Sequence, residues 1–155
     1  GSEIPLQGVT HRVVQGQGRR VVMEGGVIMV PGPVERIGAR LKGHFKQMAR
    51  VRLVGASDEY ATRLGKPYER ISIRDTRSRW GSCSSNGTLM YSWRLIMAPD
   101  VVLDYVAAHE VAHLAEMNHS PAYWAGVERI FGDYKPARRW LKSNGNMLHR
   151  FKFGD

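Results

Sequence analysis

The sequence predicts an α+β fold, a single small domain in which amino-terminal strands and a sheet pack on helices. Three observations predict it. Strand-type alternation punctuated by glycine turns fills the first thirty residues and returns from Tyr68 to Trp93. Helical spacing of apolar residues follows Pro33 and again Pro99. A chain of 155 residues, 43% of them hydrophobic, suits one buried core. The domain is expected over residues 4–155, with residues 1–3 read as the remnant of a cleaved tag.

Taken in order, His11-Arg12-Val13-Val14 and Arg20-Val21-Val22-Met23, separated by Gly16-Gln17-Gly18 and followed by Glu24-Gly25-Gly26, predict two or three short strands. Pro31-Gly32-Pro33 ends that pattern. Val34, Ile37, Leu41, Phe45, Met48 and Leu53 then recur at helical spacing, while Arg36, Arg40, Lys42, Lys46 and Arg50 make the other face basic. A separate short helix is expected over Ser57 to Leu64, started by Ser57-Asp58-Glu59 and ended by Gly65-Lys66-Pro67. Ile71 and Ile73 alternate with Ser72 and Arg74, and Asn86-Gly87 between strand-like runs signals a hairpin leading into Leu89 to Trp93. Pro99 fits the first turn of the next helix, with Asp100 and Asp104 near its amino-terminal dipole. Ser120-Pro121 reads as cap and first residue of another helix that Gly132 ends, and a last helix is expected from Pro136 to Asn144, with Gly145 beyond its end.

Composition narrows the function classes. Cys83 is the single cysteine, which excludes an internal disulfide, a cysteine zinc finger and a four-thiolate iron–sulfur site. Apolar runs fall far short of the roughly 20 residues needed to span a bilayer. With no leader pattern at the start and a free thiol, a cytoplasmic location is expected, without a membrane partner. Lys and Arg number 23 against 14 Asp and Glu, a formal net charge of +9 that invites a nucleic-acid reading. By position, however, 16 of the basic residues precede Leu95 and 7 follow Glu128. The gap between them holds His109, His113 and His119 together with Asp100, Asp104, Glu110 and Glu116.

His109-Glu110-Val111-Ala112-His113 fits the pattern H-E-x-x-H. On a helix the two histidines lie about 40° apart around the axis and roughly 6 Å apart along it, so both imidazoles reach one ion. Glu110 is close enough in angle to serve as base for a metal-activated water. A third ligand is required. His119 is the leading candidate, but a continuing helix would carry it about 15 Å away, so the chain must turn after His113; Asn118, which tolerates a left-handed conformation, and Ser120-Pro121 supply a local break. Glu116 is the alternative, on nearly the same face but about 10 Å along the axis. Zinc is the metal that histidine ligands with an open position favour.

The run Arg74-Asp75-x-Arg77-Ser78-Arg79-Trp80-Gly81-Ser82-Cys83-Ser84, then Tyr91-Ser92-Trp93-Arg94-Leu95-x-x-Ala98-Pro99, then Leu103-Asp104-Tyr105-Val106-x-x-His109-Glu110-x-x-His113-Leu114, closing on Asn118-His119-Ser120-Pro121-x-x-Trp124, resembles the YgjP-like metallopeptidase family, predicted metal-dependent hydrolases related to SprT-like and WLM zinc proteases. The resemblance implies a zincin-like fold, zinc held at His109, His113 and His119, and Glu110 as catalytic base. The histidine spacing is also similar to that of metzincins, but Glu116 stands where their helix-breaking glycine would be.

Around this core, Leu89 to Trp93 is proposed as an edge strand that takes an extended peptide by strand addition, with an ordinary interior strand as the equal alternative. Arg74, Arg77, Arg79, Trp93, Arg94 and Tyr123 are candidate substrate-binding residues, the arginines for a carboxylate or phosphate and Tyr123 or an arginine for the oxyanion. Ion pairing with Asp75 and its neighbours is the competing fate of the arginines, and a buried apolar role that of Cys83. The sequence therefore predicts a zinc-dependent hydrolase, foremost a peptidase. Its rivals are a phosphoanhydride or nucleotide hydrolase with an arginine phosphate clamp, and a nucleic-acid-binding module or DNA-associated protease whose basic flanks contact phosphates. The oligomeric state is not legible.

Overall fold

Tight turns fold the amino-terminal strands back on one another. In the computed structural model, which describes residues 2–154, β1 (Glu3–Leu6) and β2 (Val9–Gly16) pair antiparallel around Gln7 and Gly8. Both turn residues have positive φ, 52° and 79°, the left-handed backbone of a tight hairpin. Gly25 and Gly26, at 57° and 76°, do the same between β3 (Val22–Glu24) and β4 (Val27–Pro31). Because β4 also runs parallel to β2, the sheet has the order β1-β2-β4-β3, four strands where the sequence indicated two or three. Glu3 lies in β1, and the Ser2 carbonyl accepts from the Val13 N–H at 2.8 Å, so residues 2 and 3 join this sheet; Gly1 lies outside the described residues. The first hairpin tip docks on the middle of the chain, its Gln7 and Gly8 N–H groups donating to the carbonyls of Ile96 (2.8 Å) and Met97 (3.1 Å).

After a 3₁₀ turn at Val34–Arg36, α1 runs unbroken from Ile37 to Leu64. The separate helix expected at Ser57 does not form. Ser57 is no cap: it is buried in the helix interior with its hydroxyl 3.0 Å from that of Tyr91, and that contact, with Leu53, Ala56 and Tyr60 on the same buried stripe, carries the helix through. The helix ends where the sequence indicated, at Gly65 (φ 80°), whose N–H reaches the carbonyls of Ala61 and Thr62.

The second sheet has the order β5-β7-β6, from β5 (Arg70–Arg74), β6 (Gly81–Cys83) and β7 (Thr88–Ser92). The Asn86-Gly87 signal marks the β6–β7 hairpin as expected. The parallel partner β5, however, covers the other side of β7. Leu89 to Ser92 is therefore a central strand with no free edge, which corrects the strand-addition expectation and agrees with the interior-strand alternative, and Trp93 begins the following 3₁₀ segment, Trp93–Met97. Three more helices complete the chain: α2 (Asp100–Ala112), α3 (Pro121–Phe131) and α4 (Lys135–Leu148). α4 passes through Gly145, which was expected to lie beyond its end, because that glycine faces the Trp80 indole where an added Cβ would come within 3.2 Å. The result is a small single α+β domain in which α2 packs against α1, α3, α4 and β6. Among the described residues no helix is long and apolar enough to cross a membrane.

Candidate metal centre

The centre is built on a helix that tertiary packing holds on several sides. Val102, Leu103, Val106, Ala107 and Val111 of α2 are all buried, which fixes the rotation of the helix and hence the direction of its last polar turn. His109 and Glu110 occupy that turn and His113 caps it. Beyond it, the N–H groups of His113, Leu114 and Ala115 bond to carbonyls three residues back (3.1, 2.9 and 3.1 Å), a tightened turn that stops the helix. The break does not use a left-handed Asn118: Gln7 is the one non-glycine residue with positive φ among the described residues. His119 then directly precedes the α3 cap, where the Ser120 hydroxyl accepts from the Tyr123 N–H at 3.2 Å and Pro121 follows in the first turn.

This path brings ring nitrogens of His109, His113 and His119 within 4.8 Å of one another. Ring centroids are 5.3 Å apart for His109 with each of the others, and 4.8 Å apart for His113 with His119. The far sides of the first two rings are already engaged. His113 Nδ1 lies 3.0 Å from the Glu116 carbonyl and donates to it, and His109 Nδ1 lies 3.2 Å from the Tyr105 hydroxyl. Both arrangements leave Nε2 for an ion, which is how a ligating imidazole is ordinarily held. Burial also lowers the pKa of both, that of His109 to about 4 with help from the other two histidines and Arg138, so these two rings are neutral at neutral pH. The residues thus fit a cation that prefers nitrogen donors. Glu116, the alternative third ligand, is exposed and contributes its carbonyl to His113 instead.

Glu110 is 6% exposed and makes no hydrogen bond among the described residues, while its Oε2 stands 3.9 Å from His109 Nε2. Burial pushes its pKa up to about 8, opposed by the positive charge of Arg79. A dication on the three histidines would pull it further down. Strand β6 lies directly over this carboxylate: a Cβ on Gly81 would meet Glu110 Cγ at 2.9 Å, so glycine is what permits the approach.

An aromatic wall closes the other side. Tyr123 stacks on His113 (4.4 Å, 23°) and donates its hydroxyl to the His109 carbonyl at 2.7 Å. Trp124 lies nearly parallel to His119 (5.8 Å, 25°), Tyr134 stacks on Trp124 (4.8 Å), and Arg138 sits 4.7 Å from the same indole.

The chain matches the family described as YgjP-like, metallopeptidase domain, over residues 1–144. The chain belongs to that family. A similar solved structure is the crystal structure of the metallopeptidase zymogen abylysin of Pyrococcus abyssi, with a TM-score of 0.53, 21% identity, and coverage of 64% of this chain and 98% of that one. At that identity the likeness concerns the fold. No curated protein matches the sequence. Membership of the YgjP-like family implies a metal-dependent hydrolase of the metallopeptidase kind, with a peptide or protein substrate.

The remaining candidates from the sequence divide sharply. Arg94 is 1% exposed, its guanidinium spent on Asp75 (2.9 Å) and on the carbonyls of Leu148 and Phe151 (both 2.9 Å); it braces the carboxy-terminal segment and is closed to substrate. Trp93 is completely buried against Phe153, and Tyr123 is buried with its hydroxyl committed, so neither meets a substrate as expected from the sequence. Arg74 bonds Ser72 on its own strand and Arg77 reaches the His149 carbonyl. Arg79 is the one of the four whose charge opposes the upward shift of Glu110, and the other three are engaged with Ser72, the His149 carbonyl and Asp75, so no arginine clamp assembles around the centre. Cys83 is half-buried, its thiol raised to about 11 by burial, and stands outside the histidine cluster. Sequence reading missed Tyr105, Gly81 and Tyr134. Tyr105 carried a signal, being one helical turn before His109, whereas Tyr134 meets Trp124 only through the packing of α4.

Proposed function

We propose that this protein is a zinc-dependent metallopeptidase in which His109, His113 and His119 hold the metal and Glu110 is the general base. The observation that carries the reading is the convergence of three ring nitrogens, two with their opposite nitrogens engaged, beside a buried carboxylate that has no other partner. A zinc ion held there would supply Lewis acidity, making a water acidic and polarising the scissile carbonyl. Glu110 accepts the proton of the attacking water, whose oxygen adds to the carbonyl carbon. As the C–N bond breaks, Glu110 delivers that proton to the leaving amine. Its buried position keeps competing water from the carboxylate, and the charge of a bound dication would offset the upward push of burial and favour the ionised form that takes the proton.

The substrate strand is assigned to β6 in place of β7. One side of β6 pairs with β7 and the other has no strand partner in the sheet, and Gly81 brings that strand against Glu110. An extended peptide added along this side presents its carbonyl to the centre. Arg79, without an ion pair among the described residues, is the cation left to face the substrate.

The test is Glu110→Gln in zinc-loaded protein assayed on a mixed peptide library, beside wild type with and without chelator. We expect the variant to keep one zinc and to lose roughly 10²–10⁴-fold in turnover. Cleavage at the wild-type rate, or wild-type cleavage indifferent to chelator, would sink the mechanism.

A further inference from the structure

A second polar pocket lies at the opposite end of α1. It is an open cavity of about 400 Å³ between the β2–β3 connection, the end of β4 at Pro31 and the first turns of α1, and its polar lining is Arg19, Arg20, Arg40, His44 and Gln47. Among the described residues no carboxylate lines it. None of the three arginines has a hydrogen bond or ion pair among the described residues, although surface arginines on this chain do find acids where acids are near, as Arg52 and Arg63 do. His44 adds a ring nitrogen, Nε2, that is buried without a partner. From Arg36 to Ser57 the chain contains six cations and no acid, so the surrounding field is positive as well.

The pocket is also braced. The Arg40 guanidinium rests against Gly32, where an added Cβ would come within 3.0 Å of both Cζ and Nε, and the Gly32 carbonyl is fixed by the Gln15 side-chain amide at 2.7 Å. Arg40, His44 and Gln47 follow one another at spacings of four and three on α1, which sets them on one face, opposite the Arg19-Arg20 pair. A planar guanidinium that lies against backbone with its N–H groups uncommitted offers a fork of donors, the arrangement that suits the oxygens of a phosphate.

We propose that this pocket binds a phosphate group. It is independent of the metal centre, since about 30 Å of helix separates Arg40 from Tyr60, the residue of α1 that packs towards the centre through Phe131. A phosphorylated small molecule and the phosphodiester backbone of a nucleic acid present the same oxygens, and the experiment separates them.

Amide resonances of the zinc-loaded full chain are followed by NMR while inorganic phosphate or, separately, a short random-sequence DNA duplex is added. Arg40→Lys keeps the charge but removes the fork, and Lys142→Ala, on the exposed side of α4, serves as the remote control. We expect resonances of Gly32, Arg40, His44 and Gln47 to shift, with affinity roughly tenfold or more weaker in Arg40→Lys and unchanged in Lys142→Ala. Response to phosphate assigns the pocket to phosphorylated small molecules; response to the duplex alone assigns it to a phosphodiester backbone. Absence of shifts with both, equal titration of wild type and Arg40→Lys, or shifts confined to His109 to His119 would overturn the proposal.

Discussion

The two ends of α1 treat polar groups in opposite ways. At the carboxyl-terminal end, around α2 and α3, the groups surrounding the centre are spoken for, since Tyr105 and the Glu116 carbonyl engage the histidine rings and Tyr123 holds the His109 carbonyl, while the Glu110 carboxylate, 3.9 Å from His109 Nε2, makes no hydrogen bond among the described residues. At the amino-terminal end the backbone is braced and the side chains are free, with three arginines and a histidine lining a cavity that holds no acid. By the criterion of which side chains have already made their hydrogen bonds, the proposed base Glu110 and the proposed Arg40 pocket are open to a ligand, while Arg94, the most buried cation among the described residues, is scaffold.

The widest separation between the two ends should come from His119→Ala. Two histidines remain, and we expect the dialysed variant to carry almost no zinc and to cleave nothing, with an unchanged circular dichroism spectrum because His119 is exposed in a connection. Arg40→Lys should leave both zinc content and cleavage at wild-type levels. A full equivalent of zinc in His119→Ala, measured by elemental analysis, would return the third ligand to Glu116.

Arg94→Ala tests the scaffold side of the criterion. Removing the guanidinium strands Asp75 and the carbonyls of Leu148 and Phe151, which we expect to cost about 3–5 kcal/mol in urea unfolding. The folded fraction should retain wild-type KM. A large rise in KM with stability intact would restore Arg94 to the substrate site.

What was legible in the sequence follows the same division between local and non-local. The histidine cluster proposed to hold the metal, Glu110, the Ser120-Pro121 cap and the Gly132 stop all lie within 24 residues and depend on spacing along one chain segment, which the sequence displays directly. The errors arose where a distant segment decides. Ser57-Asp58-Glu59 has the chemistry of a helix start, yet Tyr91 and the core side of α1 turn it into helix interior. Leu89 to Trp93 has the chemistry of a strand, but the choice between edge and interior stays open in the sequence because the parallel pairing with β5 that settles it leaves no local mark. Gly145 looked like a stop and proved to be clearance for Trp80. The phosphate pocket was invisible for the same reason, since Arg19-Arg20, Gly32 and Arg40 come from three elements. The net charge of +9 hinted at a polyanion without indicating where it would sit.

Tyr105→Phe asks how much a partner on the far nitrogen is worth. The ring should keep its packing against Phe131 and Tyr134, so stability should change little, while loss of the hydroxyl beside His109 Nδ1 should weaken zinc binding roughly 10–100-fold in a competitive chelator titration. Equal zinc affinity in both proteins would mean that His109 is oriented by packing alone.

The smallest effect expected is that of Ser120→Ala, and it probes the junction on which the third ligand depends. The Ser120 hydroxyl accepts the Tyr123 N–H, so its removal leaves one donor of the first turn of α3 without a partner, a loss of about 1 kcal/mol. Thermal unfolding of the metal-free protein measures that part. The same cap fixes the direction in which His119 leaves the chain, so zinc affinity should fall by more than the cap alone accounts for, and the excess is the share of the cap in preorganising the site. If the loss of zinc affinity is zero once the stability change is subtracted, His119 reaches the ion by its own side-chain freedom, and the carboxyl-terminal end of the molecule is less rigidly prepared than its hydrogen bonds indicate.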